Sequence, residues 1–167
     1  MLLNLSTLKD NPGGSIPFAV DLDLRDMTFG GCCPVTEPVR ASGEVRNTAD
    51  VFVLSGSVRT TLHGPCDRCA CPVEKPVEFP MHAVLTEALA NDDGDEDPWL
   101  FLLVDGCADL DEIVTTTFVL SMDSKFLCKD DCKGLCCRCG KNLNDGPCDC
   151  QPEADPRLAV LKQLLKK

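Results

Sequence analysis

The segment CKDDCKGLCCRCGKNLNDGPCDC, residues 128–150, decides how the last part of this chain folds. It holds seven of the thirteen cysteines, and two leucines are its only other large apolar side chains. A segment of this composition cannot bury enough apolar surface to fold unaided. Thiolates bound to a metal ion would supply the missing cross-links, so we predict a metal-bound segment.

Eight of the cysteines form four close-spaced pairs along the chain. The pairs are Cys66 with Cys69, Cys128 with Cys132, Cys136 with Cys139, and Cys148 with Cys150. A short loop with two thiolates offers half of a tetrahedral zinc site, and a second such loop completes it. Four pairs therefore predict two Cys₄ zinc sites.

The spacing indicates how the pairs divide between two sites. One site is predicted from Cys136, Cys139, Cys148 and Cys150, which lie within a single short unit. Gly140 favours this site, because the residue after the second cysteine of such a turn often needs a positive φ. Ala70 holds that position in the other turn, where glycine would fit better.

The other site is predicted from Cys66, Cys69, Cys128 and Cys132. It would clip the cysteine-rich segment onto the rest of the chain, since closing a loop of about 60 residues adds only a logarithmic entropy cost. A different division stays open at this stage. It would place Cys66, Cys69, Cys136 and Cys139 on one ion.

Five cysteines lie outside the four pairs: Cys32, Cys33, Cys71, Cys107 and Cys137. Cys107 is expected to be a small core residue, and the others to be spare thiols, substitute ligands or parts of a third site. An odd number of cysteines does not close into a disulfide set, and the N-terminal residues lack the basic and apolar runs typical of export. We therefore expect thiolates on metal in a reducing cytoplasm.

No catalytic motif accompanies the cysteines. Neither His63 nor His82 stands in an HExxH or HxE motif, and a catalytic zinc site usually includes histidine or carboxylate and keeps an open position. Residues 65–69 match the PCxxC half of the zinc-deaminase pattern, but its HxE half is missing. We predict a protein that is not an enzyme and has no small-molecule substrate. The rival hypothesis is a thiol or metal redox protein, or a metal-handling protein.

Alternating apolar and polar residues predict strands over residues 18–24, 35–63 and 71–89, with the middle stretch forming a hairpin. Prolines in the third stretch place it at a sheet edge or at bulges, because proline donates no ladder hydrogen bond. A helix is expected to start at Asp109, and another is expected over residues 155–167. The predicted fold class is α+β: an antiparallel sheet of about five to seven strands, barrel-like as one option, with two helices and a zinc-bound C-terminal segment.

These patterns divide the chain into three regions: an acidic β-rich body with one helix (1–122), a cysteine-rich zinc segment (123–154) and a C-terminal helix (155–167). Residues 1–122 hold 20 acidic and 7 basic side chains, whereas residues 123–167 hold 7 acidic and 9 basic ones. The body should repel a phosphate backbone. Any contact with nucleic acid is therefore expected in the last third of the chain.

The cysteine-rich end resembles the YceD family, the large ribosomal RNA subunit accumulation proteins. The resemblance is carried by residues 128–136, Cys139-Gly140, Asn142-Leu143-Asn144, Cys148-x-Cys150, residues 155–161 and the loop Pro65-Cys66-x-Arg68-Cys69. Family members often have proline where Cys137 stands here. The match is most specific over the final 40 residues or so and extends back to about residue 35.

The resemblance implies a non-enzymatic factor for accumulation of large-subunit rRNA and for assembly of the large ribosomal subunit. The expected partner of this factor is an assembly intermediate of the large ribosomal subunit, a ribosomal protein or rRNA. Binding to a membrane is not expected. The acidic body suits a basic ribosomal protein. A phosphate contact would use the basic residues Lys129, Lys133, Arg138, Lys141 and Arg157. A zinc-ribbon module that binds RNA is a further alternative.

Overall fold

A computed structural model describes residues 1–48, 51–87 and 99–150 of the chain. Its main element is a five-stranded sheet with the order β2-β3-β4-β5-β6. The strands are β2 (Ser15–Leu22), β3 (Val39–Thr48), β4 (Val51–Pro65), β5 (Pro72–Thr86) and β6 (Leu100–Leu102). A two-stranded sheet pairs β1 (Leu2–Asn4) with β7 (Cys107–Asp109). The helices are α1 (Ser6–Lys9) and α2 (Leu110–Ser121).

The large sheet is open, so the barrel option is wrong. Strands β2 to β5 form an antiparallel meander, and β6 adds to β5 in parallel. Within the described residues, β2 pairs only with β3 and β6 only with β5, whereas a barrel needs both edges joined. A three-residue β6 is too short to carry such a closing ladder.

At the N-terminus the short strand β1 is followed by the one-turn helix α1, which no sequence pattern predicted. The predicted C-terminal helix, 155–167, lies outside the described residues. No helix in the described part of the chain is long and apolar enough to cross a bilayer.

Among the described residues the prolines of β5 lie at a free edge of the sheet, as their chemistry predicts. The Val84 N–H donates to the Trp99 carbonyl on the side away from β4, and β4 and β5 pair without a bulge. Pro72, Pro76 and Pro80 are an even number of residues away from Val84. The position of each missing N–H therefore faces the same side of the strand as the Val84 N–H, away from β4. Since β6 covers only Val84–Thr86, these prolines remove no ladder hydrogen bond.

Helix α2 covers one face of the sheet and forms the core with it. The Asp109 side chain caps the helix by accepting a hydrogen bond from the Asp111 N–H at 3.0 Å, as predicted. Phe118 is fully buried and meets the rings of Phe29 and Phe79 edge-on, with centroids 5.9 and 6.0 Å apart. Burial of this face fixes where α2 ends, and therefore where the following chain starts.

The chain after α2 returns along the β4–β5 hairpin toward its tip. Lys75 of β5 pairs with Asp123 at 2.9 Å, and the ring of Phe126 packs against Gly64, where an added Cβ would lie 3.3 Å from the ring. Residues 123–150, called the tail below, thus begin beside the loop that joins β4 to β5. The fold of the body therefore brings the cysteines of the tail close to Cys66 and Cys69.

Candidate metal centres

The loop that joins β4 to β5 is a tight cysteine turn, residues 66–71. The Cys66 N–H donates to the Cys71 carbonyl at 2.8 Å, and the Ala70 N–H donates to the Cys66 carbonyl at 2.8 Å. Ala70 adopts a φ of 57°, in the left-handed region that costs a residue with a side chain about 1–2 kcal/mol. The strain that the sequence indicates at Ala70 is therefore present.

The tail repeats this turn at residues 136–141. The Cys136 N–H donates to the Lys141 carbonyl at 2.8 Å, the Gly140 N–H donates to the Cys136 carbonyl at 2.9 Å, and Gly140 has a φ of 71°. Position by position, the hydrogen bonds and the left-handed residue match those of the first turn. The chain therefore builds the same two-cysteine turn twice.

The first cluster consists of the sulfurs of Cys66, Cys69, Cys128 and Cys132, which all lie within 4.8 Å of one another. The Cys66–Cys132 and Cys69–Cys128 sulfur distances are 3.8 and 3.7 Å. Four sulfurs in a tetrahedron around zinc, at about 2.3 Å from it, lie about 3.8 Å apart. This cluster therefore has the donor type, the number and the spacing that a tetrahedral metal ion needs.

The first cluster is mostly buried and stabilises negative charge on two of its sulfurs. Cys66, Cys69 and Cys132 are at most 4% exposed, whereas Cys128 is exposed. Burial raises the pKa of Cys66, but backbone N–H groups of Cys128 and of the first turn outweigh it and hold the pKa at about 6. A hydrogen bond from Asn144 is the main cause of the lowered pKa of Cys132. Thiolates are the form that binds metal.

Hydrogen bonds from the first turn hold the tail beside this cluster. The Asp67 carboxylate accepts from the Phe126 N–H at 2.6 Å, and the Asp67 N–H donates to the Phe126 carbonyl at 2.8 Å. The Arg68 guanidinium donates to the Cys132 carbonyl at 2.9 Å, and the Arg68 carbonyl accepts from the Leu135 N–H at 3.0 Å. The two residues between the cysteines of this turn are thus tail-binding residues.

The second cluster consists of the sulfurs of Cys136, Cys139, Cys148 and Cys150, again within 4.8 Å of one another. All four residues are exposed or half-buried. Backbone N–H groups of Cys139 and Arg138 lower the pKa of Cys136 to about 6, whereas a hydrogen bond with Cys139 and burial raise the pKa of Cys150 to about 12. One sulfur is thus readily a thiolate, and a bound cation would favour that form in the others.

The loop of the second cluster reaches back to the first through two asparagines. The Asn144 side chain donates to the Cys132 sulfur at 3.3 Å and to the Asn142 side-chain oxygen at 2.8 Å. It also accepts from the Lys133 N–H at 2.9 Å, and Asn142 donates to the Cys71 sulfur at 3.5 Å. Sequence reasoning did not predict these contacts. The motif Asn142-Leu143-Asn144, placed just after a cysteine turn, was the available signal.

The remaining cysteines and both histidines lie outside the two clusters. The structure groups Cys136 and Cys139 with Cys148 and Cys150, not with Cys66 and Cys69, and the described residues contain no third cluster. All thirteen cysteines are free thiols. Cys71 receives the hydrogen bond from Asn142, and Cys107, expected in the core, is half-exposed. Cys32 is half-buried, and Cys33 and Cys137 are exposed.

A family model matches residues 54–165 of the chain, about two thirds of its length. Its description is "Large ribosomal RNA subunit accumulation protein YceD". The matched region begins in β4 and includes both cysteine turns and all eight clustered cysteines. No solved structure matches the chain.

Three relatives illustrate the similarity of the chain to curated proteins. An uncharacterised protein of Mycobacterium tuberculosis strain H37Rv is 29% identical over 126 residues, covering 72% of this chain and 59% of its own length. The maize (Zea mays) protein named large ribosomal RNA subunit accumulation protein YCED homolog 1, chloroplastic, is 29% identical over 179 residues, covering 89% of this chain and 61% of its own length. The Arabidopsis thaliana protein of the same name is 28% identical over 161 residues, covering 80% and 48%. The chain thus spans about half to three fifths of the length of these relatives.

Proposed function

This chain belongs to the YceD family, and we propose on that basis that it is a non-enzymatic factor for accumulation of large-subunit rRNA and assembly of the large ribosomal subunit. The family description and the names of the plant relatives support the role. The observation that carries the structural part is the pair of four-sulfur clusters. In the proposal, both clusters hold zinc and fix the tail to the body.

Zinc is the proposed metal because the donors are all sulfur and the spacing is tetrahedral. Cys₄ sites with no open position are typical of structural zinc, whereas catalytic zinc keeps a position for water. Bound zinc would act only as a cross-link, neutralising thiolate charge and joining two chain segments at each centre. The eight proposed ligands are Cys66, Cys69, Cys128, Cys132, Cys136, Cys139, Cys148 and Cys150.

The proposed partner is a basic protein of the large ribosomal subunit or of its assembly intermediate. The excess of acidic side chains in residues 1–122 favours a basic protein over bare phosphate backbone. The tail carries Lys129, Lys133, Arg138 and Lys141 and is the part that would approach rRNA. Thirteen free thiols suit a reducing compartment that contains ribosomes, and we propose the cytoplasm.

The experiment is a pull-down with the tagged full chain, scored for large-subunit proteins and precursor rRNA. We expect the wild type to retain large-subunit components and a Cys66→Ser/Cys69→Ser variant, which removes half of the first cluster, to lose most of them. A Cys33→Ser/Cys107→Ser variant changes two cysteines outside the clusters and should behave like the wild type. Its failure would point to general damage from removing thiols.

Salt and nuclease treatment identify the partner class. Retention of ribosomal protein after ribonuclease treatment is expected under the proposal. Loss of all partners after that treatment, with binding that falls steeply with salt, would instead indicate an RNA-binding module. Capture of no large-subunit component under any condition would contradict the proposed role.

A further inference from the structure

The two clusters are physically connected, because the loop that closes the second cluster lies against the first. Besides the asparagine contacts, the Leu143 N–H donates to the Gly134 carbonyl at 2.9 Å, and Leu135 forms a β-bridge with Asn142. Residues 133–135 follow Cys132 of the first cluster directly. The loop that closes the second cluster therefore contacts the segment that directly follows Cys132 of the first cluster.

Asn144 is the residue through which this connection reaches a sulfur. Its amide nitrogen donates to the Cys132 sulfur, and its oxygen accepts from the backbone N–H of the next residue, Lys133. Cys132 is buried, so the Asn144 amide is a hydrogen-bond donor to its sulfur where water has little access. Hydrogen bonds to metal ligands of this kind orient the ligand, and removing one typically costs about 10–100-fold in metal affinity.

Asn144 lies in the loop that joins the two halves of the second cluster. Residues 140–147 join Cys139 to Cys148, are mostly polar, and have no fully buried side chain. Within the loop, Lys141 donates to the Pro147 carbonyl at 2.8 Å and the Asp145 N–H donates to the Asn142 carbonyl at 3.2 Å, whereas other hydrogen bonds hold one side of the loop against residues 132–136 and Cys71. A metal ion on the four sulfurs would join its two ends and so fix Asn144 against Cys132.

We propose that the two clusters bind metal cooperatively, with Asn144 as the residue that couples them. The inference rests on the metal centres of the proposed function and adds the interaction between them. An ion in the second cluster holds the loop, the held loop keeps the Asn144 amide on the Cys132 sulfur, and the first cluster then binds its ion more tightly. Because coupling between binding sites is reciprocal, an ion in the first cluster strengthens the second by the same factor.

The experiment measures that factor with Zn²⁺ and a competing chromophoric chelator on the reduced full chain. Cys66→Ser/Cys69→Ser leaves only the second cluster intact, and Cys148→Ser/Cys150→Ser leaves only the first. The coupling factor is the product of the two wild-type association constants divided by the product of the two single-cluster constants. We expect about 10–100, the range typical of an outer-shell contact.

The same three measurements in an Asn144→Ala background test the assignment. We expect the coupling factor to fall close to one there. Asp145→Ala changes the next side chain of the same loop, which is exposed, and should leave the factor at its wild-type value. Cobalt(II) absorption of each variant checks that the remaining cluster still binds through sulfur.

The possible failures are distinguishable. A wild type that binds no zinc would overturn the metal centres themselves. Two bound ions with a coupling factor near one would overturn the cooperativity and leave the centres standing. A high factor that Asn144→Ala does not change would show that the coupling runs through other contacts, and the assignment to Asn144 would be wrong.

Discussion

The two cysteine turns share one backbone geometry but work in different surroundings. The first turn lies at the tip of the β4–β5 hairpin, and three of the four residues in its cluster are buried. The second turn lies in the tail, and no residue of its cluster is buried. The same local structure thus serves once to attach a segment to a folded body and once to fold the segment itself.

The distance between ligands along the chain differs in the same way. In the first cluster Cys69 and Cys128 are 59 residues apart, whereas Cys139 and Cys148 of the second are nine apart. Closing the longer loop in a flexible chain would cost roughly 2 kcal/mol more. The body removes most of this difference, because the packing of α2 already places residue 123 beside β5. The first centre therefore depends on the body, and the second on its own ligands.

The largest expected effect separates the two centres by which part of the tail each one orders. Cys66→Ser/Cys69→Ser should expose mainly residues 123–135, because their attachment to the hairpin is lost while the second cluster keeps its own ligands. Cys148→Ser/Cys150→Ser should expose mainly residues 136–150. Amide hydrogen exchange followed by mass spectrometry measures both, and a chelator added to the wild type should reproduce the sum of the two effects.

In all of these cases β3, β4 and β5 should keep their protection, because α2 and the sheet form a core without the cysteines. Exposure of the same tail residues in the two double variants would contradict the difference between the centres. Loss of protection in β3 would show that the body itself needs metal.

A smaller effect comes from the residue that follows the first cysteine of each turn. Asp67 holds the Phe126 N–H with its carboxylate, whereas Cys137 holds the matching position of the second turn and is exposed. Asp67→Ala should destabilise the attached tail by about 1–2 kcal/mol, at the lower end for a charged acceptor because the bond is exposed. Cys137→Ala should change stability by less than about 0.5 kcal/mol, as is usual for surface positions.

Chemical denaturation of the zinc-loaded protein, with exchange of the Phe126 amide as a local probe, measures this difference. Asp67→Asn keeps the side-chain shape and an oxygen acceptor and should lie between the wild type and Asp67→Ala. Equal effects at positions 67 and 137 would mean that the first turn does not hold the tail through its carboxylate.

Features set by neighbouring residues in the sequence were predictable. The alternation in β4 and β5, the prolines at a free edge and the Asp109 cap all follow from local patterns, and the structure confirms them. The cysteine spacing likewise predicted four pairs, and the structure brings them together in the predicted division. The strands, the cap and each cysteine pair are decided by chemistry within a few residues, and the first cluster followed as the two pairs left over once the nearby pairs of the second were grouped.

Features set by packing between distant segments were not predictable. The parallel addition of β6 and the open sheet depend on where α2 and the strands meet, which no local pattern encodes. The contact of Asn144 with Cys132 requires the two cysteine turns to lie side by side, and that follows from the hairpin and the tail together. The parallel strand and the asparagine contact were missed, and the barrel option was left open, because the causes lie far away in the sequence.

The smallest expected effect concerns the left-handed residue that ends each turn. Gly140→Ala adds a Cβ that meets nothing within 4 Å, so its cost is backbone strain alone, about 1 kcal/mol. Zinc affinity of the second cluster should fall about fivefold. Ala70→Gly relieves the same strain in the first turn but gives the unfolded chain more freedom, so the gain should be only a few tenths of a kcal/mol. Zinc competition measures both changes. If Gly140→Ala bound zinc as tightly as the wild type, the left-handed residue would not be a requirement of the turn, and Ala70 would carry no strain to relieve.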